Sequence, residues 1–151
     1  MEIESASISD LEGVVGLWSL LVEDQKNYGS SIVWEENAML MQNIFAEAIN
    51  QGDLIVARSG GIQGFVNFGM IREGMRHEYA IGGIYNLFVK EPKRNLGIGS
   101  KLLHSAEAIL KSKGAEEITM EVLKTNLKAS RFYKRHGYTP HRIEYKKIIK
   151  T

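Results

Sequence analysis

Residues 84–122 of this 151-residue chain contain the feature that most restricts its fold. An apolar strand pattern leads into a glycine-bearing turn, an amphipathic helix and a second strand pattern. A unit of this kind places its two strands parallel in one sheet, with the helix crossing between them. Gly97 and Gly99 stand where the helix begins, and the free backbone N–H groups and positive dipole end of a helix start suit an anionic group. The unit therefore predicts a ligand-binding turn.

Hydrophobic spacing predicts the remaining elements around this unit. Helices are expected at 10–25, 35–50, 98–112 and 126–135, and strands at 2–7, 54–57, 62–71, 79–89, 118–123 and 141–149. A capping box of Ser9 and Glu12 is expected to start the first helix. The second helix is expected to turn four side chains inward: Met39, Ile44, Phe45 and Ala48. With no repeat or Pro-rich linker, the chain is interpreted as one domain over residues 1–151.

Charge is distributed unevenly along the chain. Residues 1–75 carry three basic and eleven acidic side chains, a net of −8, whereas residues 76–151 carry sixteen basic and seven acidic, a net of +9. This asymmetry is typical either of a basic half that meets an anion or simply of solvated helix faces. The chain has no cysteine and no apolar run near the roughly 20 residues of a membrane helix. We therefore expect a cytoplasmic protein with neither disulfides nor a cysteine-based zinc site.

Two motifs give this pattern a more specific interpretation. The first is R-x-x-G-x-G at residues 94–99, and the second is N-x-x-A-x-x-F-Y-x-x-x-G-Y at residues 126–138. In this order, with a strand between them, they resemble the acyl-CoA-binding and following motifs of the GCN5-related N-acetyltransferase (GNAT) family. The resemblance covers essentially the whole chain. It implies an α/β (mixed α+β) fold, with a central, mostly antiparallel mixed sheet and helices on both faces.

The resemblance also implies acetyl-CoA as the acyl donor and assigns residues to it. The strand before the turn would splay from the next parallel strand, and its backbone would bond the pantetheine arm through Leu87, Phe88 and Val89. The pyrophosphate would be held by backbone amides of the turn: Arg94, Asn95, Leu96, Gly97, Ile98, Gly99 and Ser100. Asn126 would bond the pantetheine or phosphate region, although an asparagine there is equally suited to capping a helix.

Tyr133 is the expected catalytic residue. Direct attack of an amine on the thioester needs a neutral amine, which for a lysine-like group costs about 4.6 kcal/mol at pH 7. The departing thiolate then needs a proton, and a tyrosine keeps one at neutral pH. Many family members place a glutamate where this chain has Gly83, so the general base stays open among Glu78, His77 and Tyr85.

The family resemblance implies that the amine acceptor enters beside the loop between the first two helices and near the later strands. Four residues are proposed to contact it, carboxylates mixed with aromatics that suit a cationic small molecule or peptide: Asp24, Tyr28, Trp34 and Glu78. The predicted activity is acetyl-CoA-dependent N-acetylation. The alternative is an acyl-CoA-binding regulatory module without turnover. No metal, nucleic-acid or membrane partner is expected, and a homodimer is possible.

Overall fold

The computed structural model describes residues 1–94 and 96–150, so Asn95 and Thr151 lie outside the described part. Its strands are β1 (Glu2–Ser5), β2 (Leu54–Ser59), β3 (Gly61–Met70), β4 (Ile81–Val89) and β5 (Glu117–Thr119). Its α-helices are α1 (Leu11–Gln25), α2 (Trp34–Gln51), α3 (Ile98–Ser112) and α4 (Leu127–Arg135). Short 3₁₀ turns occupy Ile8–Asp10, Lys26–Tyr28 and Glu91–Lys93.

The five strands form one sheet in the order β1-β2-β3-β4-β5. Neighbouring strands from β1 to β4 are antiparallel, and β4 and β5 are parallel. Helix α3 makes the crossover between the parallel pair. The predicted mixed, mostly antiparallel sheet is therefore confirmed.

Two hydrophobic cores lie on opposite faces of this sheet. On one face, α1 and α2 pack on side chains such as Val56, Phe65 and Phe88. On the other, α3 packs on side chains such as Val66 and Ile84, and the aromatic residues of α4 complete that layer. Strand side chains alternate between the two faces, because successive residues of a strand point to opposite sides. Helices thus cover both faces, as the sequence predicted.

Helix α2 departs from its predicted inward face. Phe45 and Ala48 are buried as expected, but Met39 is 76% exposed and Ile44 is 41% exposed. The expectation for those two residues was wrong because the helix is turned so that Phe45 meets Phe65 edge-on, with ring centroids 5.6 Å apart. The helix presents a narrower apolar stripe to the sheet than its composition suggests.

The start of α1 is held by different residues from those predicted. The capping box joins Ser7 and Asp10, not Ser9 and Glu12. The Ser7 amide donates to Asp10 Oδ2 over 2.9 Å, and the Arg58 guanidinium donates to both Asp10 oxygens over 3.0 Å. Burial by itself would raise the pKa of Asp10, but the Ser7 amide and Arg58 outweigh it and the pKa is lowered. Asp10 therefore joins α1 to the sheet as a carboxylate.

The C-terminal region also differs from its prediction. Strand β5 ends at Thr119 and not at Leu123, and no strand is assigned within residues 139–150. All of residues 139–150 are exposed, so the expected strand at 141–149 is wrong for the isolated chain. A strand needs a hydrogen-bonded neighbour, and this segment has none within the described part of the chain. Nor does any helix described here have the length and apolar character to cross a membrane.

We predict that Asp10→Asn lowers the free energy of unfolding at pH 7 by about 1–2 kcal/mol, through lost charged hydrogen bonds. The folded-state pKa is lowered, so this contribution is present above the unfolded pKa of about 3.9 and disappears as the pH falls through the folded value. Denaturant titrations at pH 7 and pH 3 measure the difference between variant and wild type. Glu12→Gln, an exposed acid on the same helix, is the control, and a pH-independent difference for Asp10→Asn would contradict the assignment.

Candidate functional site

The parallel strands β4 and β5 separate soon after they pair. Only Ile81–Gly83 of β4 pair with Glu117–Thr119 of β5. Strand β4 continues to Val89, whereas the chain after Thr119 leaves the sheet. The result is a gap between the second half of β4 and residues 120–123. This is the splay that the family resemblance implies. The N-terminus of α3 follows β4 after the turn at residues 90–97.

A β-bulge lies where the two strands separate. In the β3–β4 register Phe68 faces Ile84 and Asn67 faces Asn86, so Tyr85 is an extra residue in β4. A bulge bends its strand and increases its local twist. Beside it, the Asn86 amide donates to the side-chain oxygen of Asn67 over 2.7 Å. Asn67 is 2% exposed, so this pair satisfies polar groups that the bulge brings into the interior.

The direction of the β4 backbone groups follows from the ladder beyond the bulge. The Lys90 amide donates to Gln63 O of β3 over 2.8 Å. Because hydrogen-bonded and non-bonded positions alternate in an antiparallel ladder, Phe88 also bonds to β3, while Leu87 and Val89 direct their backbone groups to the gap. The Val89 carbonyl, on that open edge, accepts from Arg94 Nε over 2.9 Å. Of the three strand residues predicted to contact the donor, Leu87 and Val89 thus direct their amides to the gap, and Phe88 does not.

The turn after β4 has the features expected of an anion site. Gly97 caps α3 in the left-handed region with φ +79°, a conformation that a side chain disfavours. Among the residues that the structure describes, no side chain caps this helix start, and the first N–H groups of an α-helix have no partner within the helix. Arg94 turns back to β4: its guanidinium carbon lies 5.3 Å from the Phe88 ring centroid and its Nη2 lies 3.9 Å from Asp24 Oδ2.

The other predicted turn residues have distinct environments. Leu96 is exposed, whereas Ile98 is buried in the core beneath α3. Gly99 lies against α4, since a Cβ there would come 3.5 Å from the Phe132 ring. The prediction for Asn95 falls outside the described residues. Asn126 caps α4, its side-chain oxygen accepting from the Ala129 amide over 3.1 Å, so the capping role is established by this contact.

A histidine that the sequence analysis did not select joins α4 to the turn. His136 Nδ1 lies 2.8 Å from the Phe132 carbonyl, which only accepts, so Nδ1 carries the hydrogen. On the other side of the ring, His136 Nε2 lies 3.0 Å from the Ser100 hydroxyl, a group that can donate or accept. Four histidines scattered along the sequence gave no signal for this contact. The Asn67–Asn86 pair did have a sequence signal, since both are polar residues within apolar strand patterns.

Tyr133 lies in α4 with its ring packed between those of Phe132 and Tyr138, at centroid distances of 5.1 and 5.8 Å. Burial raises its pKa to about 12. Among the described residues its hydroxyl has no hydrogen-bond partner, yet no fully buried side-chain oxygen there lacks one. The hydroxyl oxygen is therefore not completely buried, and the residue as a whole is half-buried. By contrast, the Tyr138 hydroxyl donates to Glu107 over 2.6 Å.

The position of the missing glutamate is filled by a tyrosine ring. A Cβ at Gly83 would come 3.0 Å from Tyr85 Cε1 and 3.3 Å from Ile71 Cδ1, so Gly83 is the residue that fits beneath Tyr85. Burial, together with Asp53 and Glu73, raises the pKa of Tyr85, which therefore keeps its proton at neutral pH. A phenol that keeps its proton is poorly suited to the role of general base, for which Tyr85 was one of the alternatives. The remaining alternatives, His77 and Glu78, are exposed.

The four predicted acceptor residues do not form one cluster. Asp24 lines a groove with Phe88 and Arg94 at the Val89 end of β4. The Tyr28 carbonyl accepts from the Thr125 hydroxyl over 3.2 Å, which brings the α1–α2 loop to the chain leading into α4. Trp34 packs against the core under α2. Glu78 lies before the opposite end of β4, a strand roughly 25 Å long, so it cannot share a small ligand with Asp24.

The part of the chain that the structure describes contains no group of three or more His, Asp or Glu side chains able to hold a metal. The donors along the open edge of β4 and at the start of α3 are instead backbone amides. Such groups suit a long polar arm ending in phosphates: an extended arm for the open edge of β4 and an anion for the α3 N-terminus. The site residues thus fit the expected acyl donor chemically.

Comparison with known proteins agrees with this geometry. The sequence profile of the Acetyltransferase (GNAT) family matches residues 14–138. The chain belongs to this family, and the predicted membership is confirmed.

Relatives in sequence and structure extend over nearly the whole chain. Aminoalkylphosphonate N-acetyltransferase of Salmonella typhimurium is 28% identical over 151 residues, which cover 98% of this chain and 91% of that protein. The BH1408 protein of Bacillus halodurans, solved as a mutant, superposes with a TM-score of 0.85 at 19% identity, covering 99% of both chains. A GCN5-related N-acetyltransferase from Ralstonia eutropha superposes with a TM-score of 0.77 at 20% identity, covering 97% of both. The structural likenesses confirm the fold.

We predict opposite effects for alanine at the two glycines of the turn. Gly97→Ala forces a Cβ into the left-handed region and lowers the free energy of unfolding by about 1–2 kcal/mol. Gly99→Ala places its Cβ at an ordinary distance from Phe132 and removes a helix glycine, so stability stays equal or rises slightly. Denaturant titration of both variants measures the contrast. Equal losses at the two positions would show that the Gly97 conformation is not what holds the turn.

Proposed function

We propose that this protein transfers the acetyl group of acetyl-CoA to a primary amine of a small molecule or peptide. The observation that carries the proposal is the separation of β4 from β5 directly in front of the uncapped N-terminus of α3. That arrangement offers one continuous track of backbone donors, first along a strand edge and then around a turn. Family membership supports acetyl transfer as the reaction.

The donor would lie along this track. Leu87 and Val89 would bond the pantetheine arm through backbone groups, with Phe88 held by β3 as their support. The amides at residues 97–100 would receive the pyrophosphate, where the helix dipole adds a favourable interaction. Arg94 would hold the turn closed by its bond to Val89 and add positive charge. Asn126 would contribute chiefly by fixing the start of α4, which carries Tyr133.

Tyr133 would return a proton to the departing thiolate. Its pKa of about 12 makes it a weaker acid than an exposed tyrosine. Transfer to a thiolate of pKa ~8.5 is then uphill by about 5 kcal/mol, against about 2 kcal/mol for an unshifted phenol. A thiolate beside the same ring also loses hydration, which raises the pKa of the thiol. The difference between the two pKa values then becomes smaller. A hydroxyl that is not completely buried, on a ring packed between Phe132 and Tyr138, supports this role.

The acceptor is proposed to be a small cationic amine. The sequence relative named above acts, by its name, on aminoalkylphosphonates, which supports a small molecule over a protein substrate. The groove at the Val89 end of β4 is lined by three carboxylates, those of Glu23, Asp24 and Glu91, together with Lys90 and Arg94. Mixed charge of this kind suits an acceptor that carries both an ammonium and an anionic group.

The test of the proposed function is release of free thiol from acetyl-CoA during incubation with a panel of amines. The panel includes 2-aminoethylphosphonate, ethylamine, a polyamine, an amino acid and a lysine peptide. Amine-dependent thiol release, with the acetylated product seen by mass spectrometry, is the expected result. Binding of acetyl-CoA without thiol release above background for any amine would instead favour the regulatory module. The absence of the strand glutamate is the feature of this chain that agrees with that outcome.

We predict that Tyr133→Phe lowers kcat by about 100-fold or more, the usual contribution of a positioned general acid. The KM for acetyl-CoA should change less than threefold, because the ring still packs against Phe132. In the wild type Tyr133 stays protonated up to its pKa of about 12. The rate should therefore rise with pH as the amine loses its proton. Loss of the Tyr133 proton should cause no decrease in rate at any pH up to about 11.

Tyr138→Phe is the matched control, since it removes a hydroxyl from the neighbouring ring. It loses the bond to Glu107, at a cost of about 0.5–1.5 kcal/mol in unfolding free energy. Its kcat should stay within twofold of the wild type. An unchanged kcat in Tyr133→Phe, or equal losses in the two variants, would contradict the proposed role.

We predict that Asp24→Asn raises the KM for the amine about tenfold while the KM for acetyl-CoA changes little, because the amine loses one nearby negative charge. Steady-state kinetics with each substrate varied in turn measures both constants. The control is Glu47→Gln, since Glu47 is an exposed acid on α2 that accepts a hydrogen bond from Gln51. An acceptor KM that Asp24→Asn leaves unchanged would place the amine elsewhere.

A further inference from the structure

Residues 139–150 form an exposed segment with the sequence pattern of a strand. In an extended segment Ile143, Tyr145 and Ile149 would share one face, and Ile148 would lie on the other face. These four side chains are 74%, 89%, 85% and 76% exposed, respectively. A lone strand with uncovered isoleucines is unstable in water. The segment thus has the composition of a buried element and the exposure of an unpaired one.

The same chain has an unpaired sheet edge. Strand β5 is the last strand of the sheet, and its outer side faces no other strand in the described part of the chain. Beyond Thr119, residues 120–123 carry Met120, Val122 and Leu123 in half-buried positions without any assigned strand. A free edge of this kind is a template for pairing with another strand.

The two surfaces are complementary in charge. The tail carries four basic residues and one acidic residue over 142–150, a net of +3, from Arg142, Lys146, Lys147, Lys150 and Glu144. The β5 region over 116–121 carries three acidic residues and no basic one, a net of −3, from Glu116, Glu117 and Glu121. No ion pair between these groups exists within the described residues of one chain.

The connection between α4 and the tail is short and stiff. Tyr138 is fixed by its bond to Glu107 and by its amide, which donates to the Tyr133 carbonyl over 3.0 Å. Thr139 and Pro140 follow at once. Proline fixes its own φ and holds the preceding residue extended, so the chain leaves Tyr138 straight. Short, stiff hinges favour exchange of an element between two copies over folding back.

We propose that residues 141–150 of each protomer pair with the β5 edge of a second copy of this chain, forming a dimer by reciprocal strand exchange. Such a contact is closed and two-fold symmetric, since each copy donates one tail and receives one. The exchanged strand covers the exposed isoleucines and extends the sheet. It also holds residues 120–123, one wall of the gap beside β4, in strand conformation, so the site is complete only in the dimer.

The first test is oligomeric state by size-exclusion chromatography with light scattering. The wild type is expected at twice the chain mass. The double variant Ile143→Glu, Tyr145→Glu should dissociate at least tenfold more readily, whereas Met39→Glu, which alters an equally exposed apolar side chain on α2, should not. Circular dichroism shows whether the double variant remains folded. A monomeric wild type, or unchanged dimerisation of the folded double variant, would overturn the proposal.

The second test uses the absence of cysteine in this chain. One tagged chain carries Glu121→Cys, and a second, differently tagged, carries Cys in place of Arg142, Glu144 or Lys146 in turn, to sample the register. After co-expression and mild oxidation, a disulfide joining the two tags is expected for at least one tail position. A dimer with no cross-link at any of them, or an intrachain disulfide in a monomer carrying both cysteines, would overturn the exchange. Neither test depends on acetyl transfer.

Discussion

The separation of β4 from β5 depends on a single extra residue. Tyr85 stands in β4 where β3 offers no partner, and the strand bends at that point. Before the bulge, β4 is an ordinary interior strand with neighbours on both sides. After it, Leu87 and Val89 keep β3 on one side and have an open edge on the other. Because α3 starts only a short turn later, strand edge and helix N-terminus form one site.

The bulge is supported from both sides of the strand. Asn67 and Asn86 satisfy each other in the interior, so the irregular backbone leaves no buried polar side chain without a partner among the described residues. The Tyr85 ring lies over Gly83, so that a side chain there would crowd it. The family resemblance leads one to expect a glutamate at this position, and the tyrosine explains in steric terms why this chain lacks it. In the proposed reaction, removal of a proton from the amine would therefore rely on other groups.

The sequence allowed most of the architecture to be predicted, because the βαβ order, the Gly97 turn and the apolar spacing of α3 are local signals. What it could not give were effects decided by contacts between distant segments. The capping box is at Ser7 and Asp10 and not at the predicted residues, because Arg58, far along the chain, binds Asp10. Met39 and Ile44 were misplaced because the packing of Phe45 on Phe65 sets the rotation of α2. The final strand was expected from its alternation, yet pairing needs an edge that the chain does not offer to itself.

The site shows the same division. The motifs indicated Tyr133 and the turn from sequence alone, but the direction of the backbone amides depends on strand register. Only the ladder to β3 distinguishes Leu87 and Val89 from Phe88. Tyr133 also differs from a free tyrosine, since the covering by Phe132 and Tyr138 raises its pKa to about 12. Aromatic residues adjacent in a motif do not reveal how far they bury one another.

The most direct measurement is amide-resolved NMR of the protein as coenzyme A is added, with hydrogen exchange of each backbone N–H before and after. The amides of Leu87 and Val89 and those of residues 97–100 should shift and become protected, because they face the gap and the turn. The amide of Phe88, already bonded to β3, should keep its exchange rate. Protection confined to other surfaces, or unchanged Leu87 and Val89 amides in the bound state, would contradict a donor site built on the open edge of β4.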